Sequence, residues 1–318
     1  MPQRFDLIPH PKASPIQKYW TNISDDHLAD LDLEIEGPDK LPGIVTELPP
    51  GHQDAYMEFT YDLRGTGREE EFVCVHGHHR HLHGAVMRKG DDRFLVGWIC
   101  AETIYGENLT SIRADYDAAA VRRSAVLRVR ELREAVAEFS AWTDQVSRSG
   151  VLEDFDTVRL QIKQRFPWVF EVLQAASGRR INNVIMPRYL CAASKSDYSA
   201  GIEGSFIRLM NETTAVTSSL TGDSQRVAGK IGSIRQNIES IVRRAELILL
   251  KLSDVELFFQ PATLVAICEH AENAVPRRAR HFPGLLRLTT RDRVVEMPKG
   301  FAIPSRGAID RLQTVLSS

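Results

Sequence analysis

The sequence predicts a mainly α fold of the α+β kind, in which a small β-hairpin module is joined to long helices. Three observations predict it. Apolar residues from Val227 to Val255 alternate spacings of four and three over four heptads. Ile112, Tyr116, Val129, Leu132, Val136, Phe139 and Val146 recur at three, four or their sums, which gives a second long amphipathic helix. Residues 72–98 instead read as strands around the turn "KGDD". The 318 residues are 43% hydrophobic and 26% charged, which excludes wholesale disorder. The longest apolar runs, such as "AELILLKL", are far shorter than the ~20 residues of a membrane span. The proline-containing N-terminus has no apolar core of signal-peptide length, so the expected location is cytoplasmic.

In chain order, residues 1–71 form an irregular acidic region, punctuated by "PHPKASP", "EGPDKLPG" and "ELPPGHQ". Ser24 is placed to cap a short helix at "SDDHLADL", and "AYMEFTYDL" alternates as a strand. Residues 72–110 form the hairpin module, with a strand from Phe72 to Val75, strands at "HGAVMR" and "RFLVGW", and a helix starting around Cys100. Residues 110–260 form a helical region. A long helix begins near Thr110 and ends at Gly150, and two shorter ones follow, the second opened by Pro167. "TGDS" at 221–224 breaks the chain before the heptad helix, with Asp223 or Thr221 as cap. The heptad seam must be covered, either by helices of the same chain or by a second copy across residues 227–255. Gly229 and Gly232 each cost about 1 kcal/mol relative to alanine and fit a partner helix packed close. Residues 261–318 form a basic α/β region: a helix from Pro261 to Ala274, a hairpin from "GLLRLTT" and "RVVEMP", and a final helix capped by Ser305.

Five of the ten histidines crowd into eight positions: His76, His78, His79, His81 and His83. Cys74 precedes them and Cys100 follows on the far side of the hairpin. With Cys191 and Cys268 the chain has four cysteines, too few and too scattered for a disulfide framework. In a reducing compartment, clustered Cys and His read as metal ligands. A turn at Gly77 would bring Cys74 and a nearby histidine to one point, and Cys100 would enter from the first turn of a helix. Thiolate and imidazole are the ligands zinc prefers. A catalytic or sensory metal with an open position and a metal-free, solvent-facing hairpin are the competing readings.

The stretches "CVHGHHRHLHGAVM", "RFLVGWICAE" and "IYGEN" resemble a treble-clef zinc finger, in particular small bacterial modules of the form C-x2-C-G, hairpin, V-G-C-x-C-A. The resemblance covers about an eighth of the chain. It departs from that pattern twice: the first knuckle is C-x-H, and Trp98 stands at the first helix-side cysteine. The resemblance therefore implies Cys74 and Cys100 as ligands. The other two come from the five histidines, with His76 and His79 favoured by position.

The charge of −2 is unevenly spread, with 15 acidic and 6 basic groups in residues 1–72 against 3 acidic and 9 basic in 273–318. The segment "PRRARHFPGLLRLTTRDR" offers Arg277, Arg278, Arg280 and Arg287 to a polyanion, with Phe282 as a stacking ring. Carboxylates of the acidic head compete for the same arginines. No phosphate-binding glycine motif or H-E-x-x-H occurs, and "CEH" at 268–270 puts its Cys and His on different helix faces. These features favour a non-enzymatic, zinc-stabilised binding or adaptor protein that contacts nucleic acid. Two alternatives stand beside it. One is a metal-dependent hydrolase with Glu102 or the triplet Glu69, Glu70 and Glu71 as proton acceptor. The other is a purely helical scaffold.

Overall fold

A computed structural model describes residues 19–65, 71–191, 202–274, 280–281, 287–289 and 293–317. The chain is mainly α with small antiparallel sheets, and divides into two compact units, residues 1–129 and 130–318.

In the first unit α1 (Asp25–Ala29) starts where Ser24 accepts a hydrogen bond from the His27 amide, as the capping reading expects. Strands β1 (Tyr56–Asp62), β4 (His83–Lys89) and β5 (Asp92–Gly97) make an antiparallel sheet in the order β1-β4-β5. Between them β2 (Phe72–Val73) and β3 (Arg80–His81) form a short two-stranded ribbon. Helix α2 (Trp98–Tyr105) leaves directly from β5, and α3 (Asn108–Arg148) follows. The irregular N-terminal stretch supplies core rather than covering it. Trp20, Leu28, Leu33 and Ile35 are buried with Met57, Phe94, Val96 and Tyr116 in one cluster. Trp20 donates its indole N–H to the Met57 carbonyl at 2.8 Å, and the Tyr116 hydroxyl donates to the Leu33 carbonyl.

A β-bulge between Met57 and Phe59 leaves Glu58 outside the ladder. Its carboxylate is fully buried and accepts from Arg88 (2.8 Å) and twice from Arg93 (2.6 and 3.0 Å). Arg88 and Arg93 face each other across β4 and β5, so Glu58 is what permits two guanidiniums at one cross-strand position.

In the second unit the C-terminal half of α3 buries Leu132, Val136, Phe139 and Val146, four residues of the expected stripe. Gly150, at φ 76°, ends that region, and α4 (Val151–Arg165) and α5 (Pro167–Ala176) follow, the latter opened by Pro167. A small ribbon of β6 (Arg180–Ile181) and β7 (Val184–Ile185) turns at Asn182 and Asn183. Helices α6 (Ile202–Ser219), α7 (Ser224–Ala228) and α8 (Ile231–Phe259) then build a hairpin. Its arms run antiparallel: Ser205 meets Lys251 and Glu212 meets Arg244. Asp223 caps α7 by accepting from the Arg226 amide.

The heptad residues Ile234, Ile238, Ile241, Ala245, Ile248, Leu252 and Val255 are all buried within this unit, so the protomer's own helices cover the seam. The heptads do not form one unbroken helix, because the chain interrupts at Gly229 and Lys230, leaving Val227 on α7. Gly232 is not a point of close helix approach: a methyl added there meets nothing within 4 Å among the described residues. Helix α9 (Pro261–Ala274) follows, then a three-stranded sheet of β8 (Arg280–His281), β9 (Arg287–Thr289) and β10 (Val294–Glu296), one strand more than the expected hairpin. Helix α10 (Gly307–Ser317) begins where Ser305 accepts from the Gly307 amide. Among the described residues no helix is long and apolar enough to cross a membrane.

Candidate metal centre

The ribbon of β2 and β3 closes through residues 75–78. Gly77 (φ 69°) and His78 (φ 54°) are both left-handed, which turns the chain back within four residues. The Cys74 amide donates to the His79 carbonyl at 2.9 Å, and the Val75 amide donates to the Leu95 carbonyl at 3.1 Å, tying the turn to β5. Cys74 thus sits at the base of a turn held from both sides, and its side chain is fully buried.

Cys100 arrives from the other direction, in the first turn of α2. Its thiol donates to the His76 carbonyl at 3.3 Å and lies near enough to Cys74 for the two thiols to interact. Burial, then the hydrogen bond and charge of Cys74, push the Cys100 thiol up to about 11, so it is protonated at neutral pH. All four cysteines are free and buried. Cys191 and Cys268 lie in the second unit; burial raises the Cys191 thiol to about 12, and neither has the setting of a nucleophile.

The five histidines are not equivalent. His76 contributes its carbonyl to Cys100, while its ring is half-buried. His78 and His79 are exposed, and the His79 ring lies over Gly77, where an added Cβ would be 3.0 Å from Nε2. His83 is half-buried at the start of β4. His81 points inward: its Nδ1 is 3.1 Å from the Tyr61 hydroxyl, its ring stacks on that tyrosine, and its Nε2 is buried with no hydrogen-bond partner among the described residues. Gly97 makes room for the ring, since a Cβ there would be 3.1 Å from two ring atoms. Burial, then His83, lowers the His81 pKa, with Glu71 opposing, so the imidazole is neutral at neutral pH. Burial, then Cys74, raises the Tyr61 hydroxyl well above its ordinary value.

The two cysteines singled out in the sequence, Cys74 and Cys100, are therefore brought together, whereas the rings of His76 and His79 are not gathered onto them. Among the described residues no three His, Cys, Asp or Glu side chains form a ready metal-holding group. The donor types present, a buried thiol pair from two different elements and a histidine-rich turn, are those zinc takes, although among the described residues they are not gathered into one group. The sequence kept His81 among five candidate ligands without favouring it, and did not single out Tyr61. The alternation of "EFTY" and "RHLH" carries that signal only once the strand register is known.

Glu71 and Glu102 are exposed, while Glu69 and Glu70 lie outside the described residues. Arg277, Arg278 and Phe282 also lie outside them. Arg280 and Arg287 are described in backbone alone, on β8 and β9. Trp98, at the departing helix, lies under the Arg113 guanidinium, 4.9 Å from its ring centre. No family model, curated protein or solved structure matches the chain.

Proposed function

We propose that the first unit holds a structural zinc ion through Cys74 and Cys100, and that the protein is a non-enzymatic, metal-stabilised binding or adaptor protein. The observation that carries this reading is the meeting of the two thiols. They are separated by a turn, a hairpin and a helix start, yet they reach each other inside the core. A bound zinc would cross-link the turn to the helix, substituting for packing that so short a ribbon does not supply. The histidine-rich turn supplies the remaining donors.

In the second unit the arginine-rich segment around Arg277, Arg278, Arg280 and Arg287 is the proposed contact with nucleic acid, supported by its charge and by the positive balance of residues 273–318. The metal reading is tested by elemental analysis of untagged full-length protein and of Cys74→Ser and Cys100→Ser. One zinc per chain in the wild type, lost in both variants with a lowered melting temperature, supports it. Absence of metal, with both variants melting as the wild type, overturns it. The nucleic-acid contact is tested separately by salt-dependent binding to random duplexes, which changing Arg277, Arg278 and Arg280 together should abolish.

A further inference from the structure

One thiol of the first unit comes from the end of the β2 strand and the other from the first turn of α2. The Cys74 amide donates to the His79 carbonyl at 2.9 Å, which fixes Cys74 at the base of the turn. The Cys100 thiol donates to the His76 carbonyl at 3.3 Å, inside that same turn. It also lies near enough to Cys74 for the two thiols to interact. Both residues belong to one core cluster, and both are free. Among the described residues no third metal-binding side chain is gathered with them. Two neighbouring thiols need no third group to react with each other.

Burial separates their roles. Cys74 is 0% exposed and Cys100 is 6% exposed, so a small oxidant reaches Cys100 first. Buried thiols meet oxidants slowly. A sulfenic acid formed on Cys100 nevertheless has a thiol beside it, and condensation to a disulfide then outruns further oxidation.

We propose that Cys74 and Cys100 are a redox-modification site, closing to a reversible disulfide when the chain meets a hydroperoxide. The Cys100 sulfur, as thiolate, attacks one oxygen of hydrogen peroxide. The S–O bond forms, the O–O bond breaks, and the released hydroxide takes the Cys100 proton and leaves as water. The Cys74 sulfur then attacks the Cys100 sulfur. The S–S bond forms, the S–O bond breaks, and hydroxide leaves as a second water with the Cys74 proton. Two electrons pass from the thiol pair to one peroxide. The bond ties the histidine-rich turn to α2. It does not depend on the zinc reading, but it consumes the thiols a metal would use, so bound metal and disulfide exclude each other.

The test uses the full chain, stripped of metal with a chelator, reduced, freed of reductant and treated with hydrogen peroxide. Mass spectrometry of a non-reduced digest should show Cys74 linked to Cys100 within one chain, and dithiothreitol should restore both thiols. The cross-link should raise the melting temperature by about 10 °C. In Cys74→Ser the resolving thiol is gone, so dimedone should trap a sulfenic acid on Cys100. The wild-type digest needs no variant, so a misfolded Cys74→Ser does not shield the proposal. Sulfinic or sulfonic acid on either cysteine without the link, or a link through another cysteine, overturns it. Repeating the treatment with zinc added first separates the two readings. Protection of the thiols by zinc, with the link formed in its absence, supports both. A link formed equally fast with zinc present overturns the zinc reading alone, and bound zinc with no link in the stripped protein overturns the disulfide alone.

Discussion

Replacing Glu58 by alanine removes the carboxylate that Arg88 and Arg93 share at the β1 bulge. Glu58 and Arg93 are buried to within 5% and Arg88 to within 9%, so water does not take over the vacated acceptor sites. Arg88 keeps its bond to the Gly90 carbonyl and Arg93 its bond to the Pro42 carbonyl, but three charge-assisted hydrogen bonds vanish and two guanidiniums are left facing each other. Breaking a buried ion pair by removing one partner costs about 3–5 kcal/mol. For a unit of this size each kcal/mol lowers the melting temperature by about 4 °C, which gives a fall of roughly 15 °C. Near-ultraviolet circular dichroism followed on heating reads it directly. The companion variant Glu58→Leu with Arg88→Met and Arg93→Met replaces the whole charged set by apolar groups, and should recover most of the loss. A fall of less than about 4 °C in Glu58→Ala, equivalent to about 1 kcal/mol, would refute the reasoning. So would a triple variant as unstable as the single one.

Other consequences concern both units. Asp254 accepts from the Tyr189 and Leu190 amides, but burial dominates and raises its carboxyl from the ordinary 3.8 to about 6. The folded state therefore binds this proton more tightly than the unfolded chain. The contribution of Asp254 is fully present below about pH 4 and is lost as pH rises through about 6, by up to about 3 kcal/mol. Denaturant titrations from pH 4 to 6 should show that slope in the wild type and lose it in Asp254→Asn; parallel curves for the two would contradict the assignment. Gly232→Ala should stabilise the second unit by about 0.5–1 kcal/mol, because the added methyl meets open space in a helix; a loss of stability in urea unfolding would mean that something packs there. Gly84→Ala should destabilise the first unit by about 3 kcal/mol or more, since its Cβ would lie 2.3 Å from the Val96 carbonyl oxygen in the adjacent strand. An unchanged midpoint for that variant would show that the β4–β5 pairing gives way easily.

Most of the fold was legible because the periodicities are strong. The heptads, the stripe along α3, the "KGDD" turn and the caps at Ser24, Asp223 and Ser305 each carry a local physical signal, and each corresponds to an element in the structure. The sequence left open whether the heptad seam faces a second copy. Burial of Ile238, Ile241 and Leu252 within the chain resolves that, since tertiary packing rather than pattern decides what covers a seam. The break at Gly229 was missed because apolar spacing continued in phase across it. At the candidate site, Cys74 and Cys100 were legible from spacing, and their meeting follows from the turn at Gly77 and the hairpin. The distinct position of His81 was not legible. It depends on the register between β2 and β3 and on Tyr61 reaching across from β1, neither of which leaves a mark in a run of five similar residues. Glu58 carried a faint signal, a carboxylate between the apolar Met57 and Phe59 in a strand opposite two arginines that flank one turn.

The central claim is that Cys74 and Cys100 act together as metal ligands, and cobalt(II) titration tests it most directly. Added to reduced, metal-free full-length protein, cobalt should produce thiolate-to-metal charge-transfer absorption in the near ultraviolet and the intense visible bands of a tetrahedral site. Both should saturate at one equivalent, be displaced by zinc, and be absent from Cys74→Ser and Cys100→Ser. Weak, octahedral-type visible bands without charge transfer, identical in the wild type and both variants, would contradict the account.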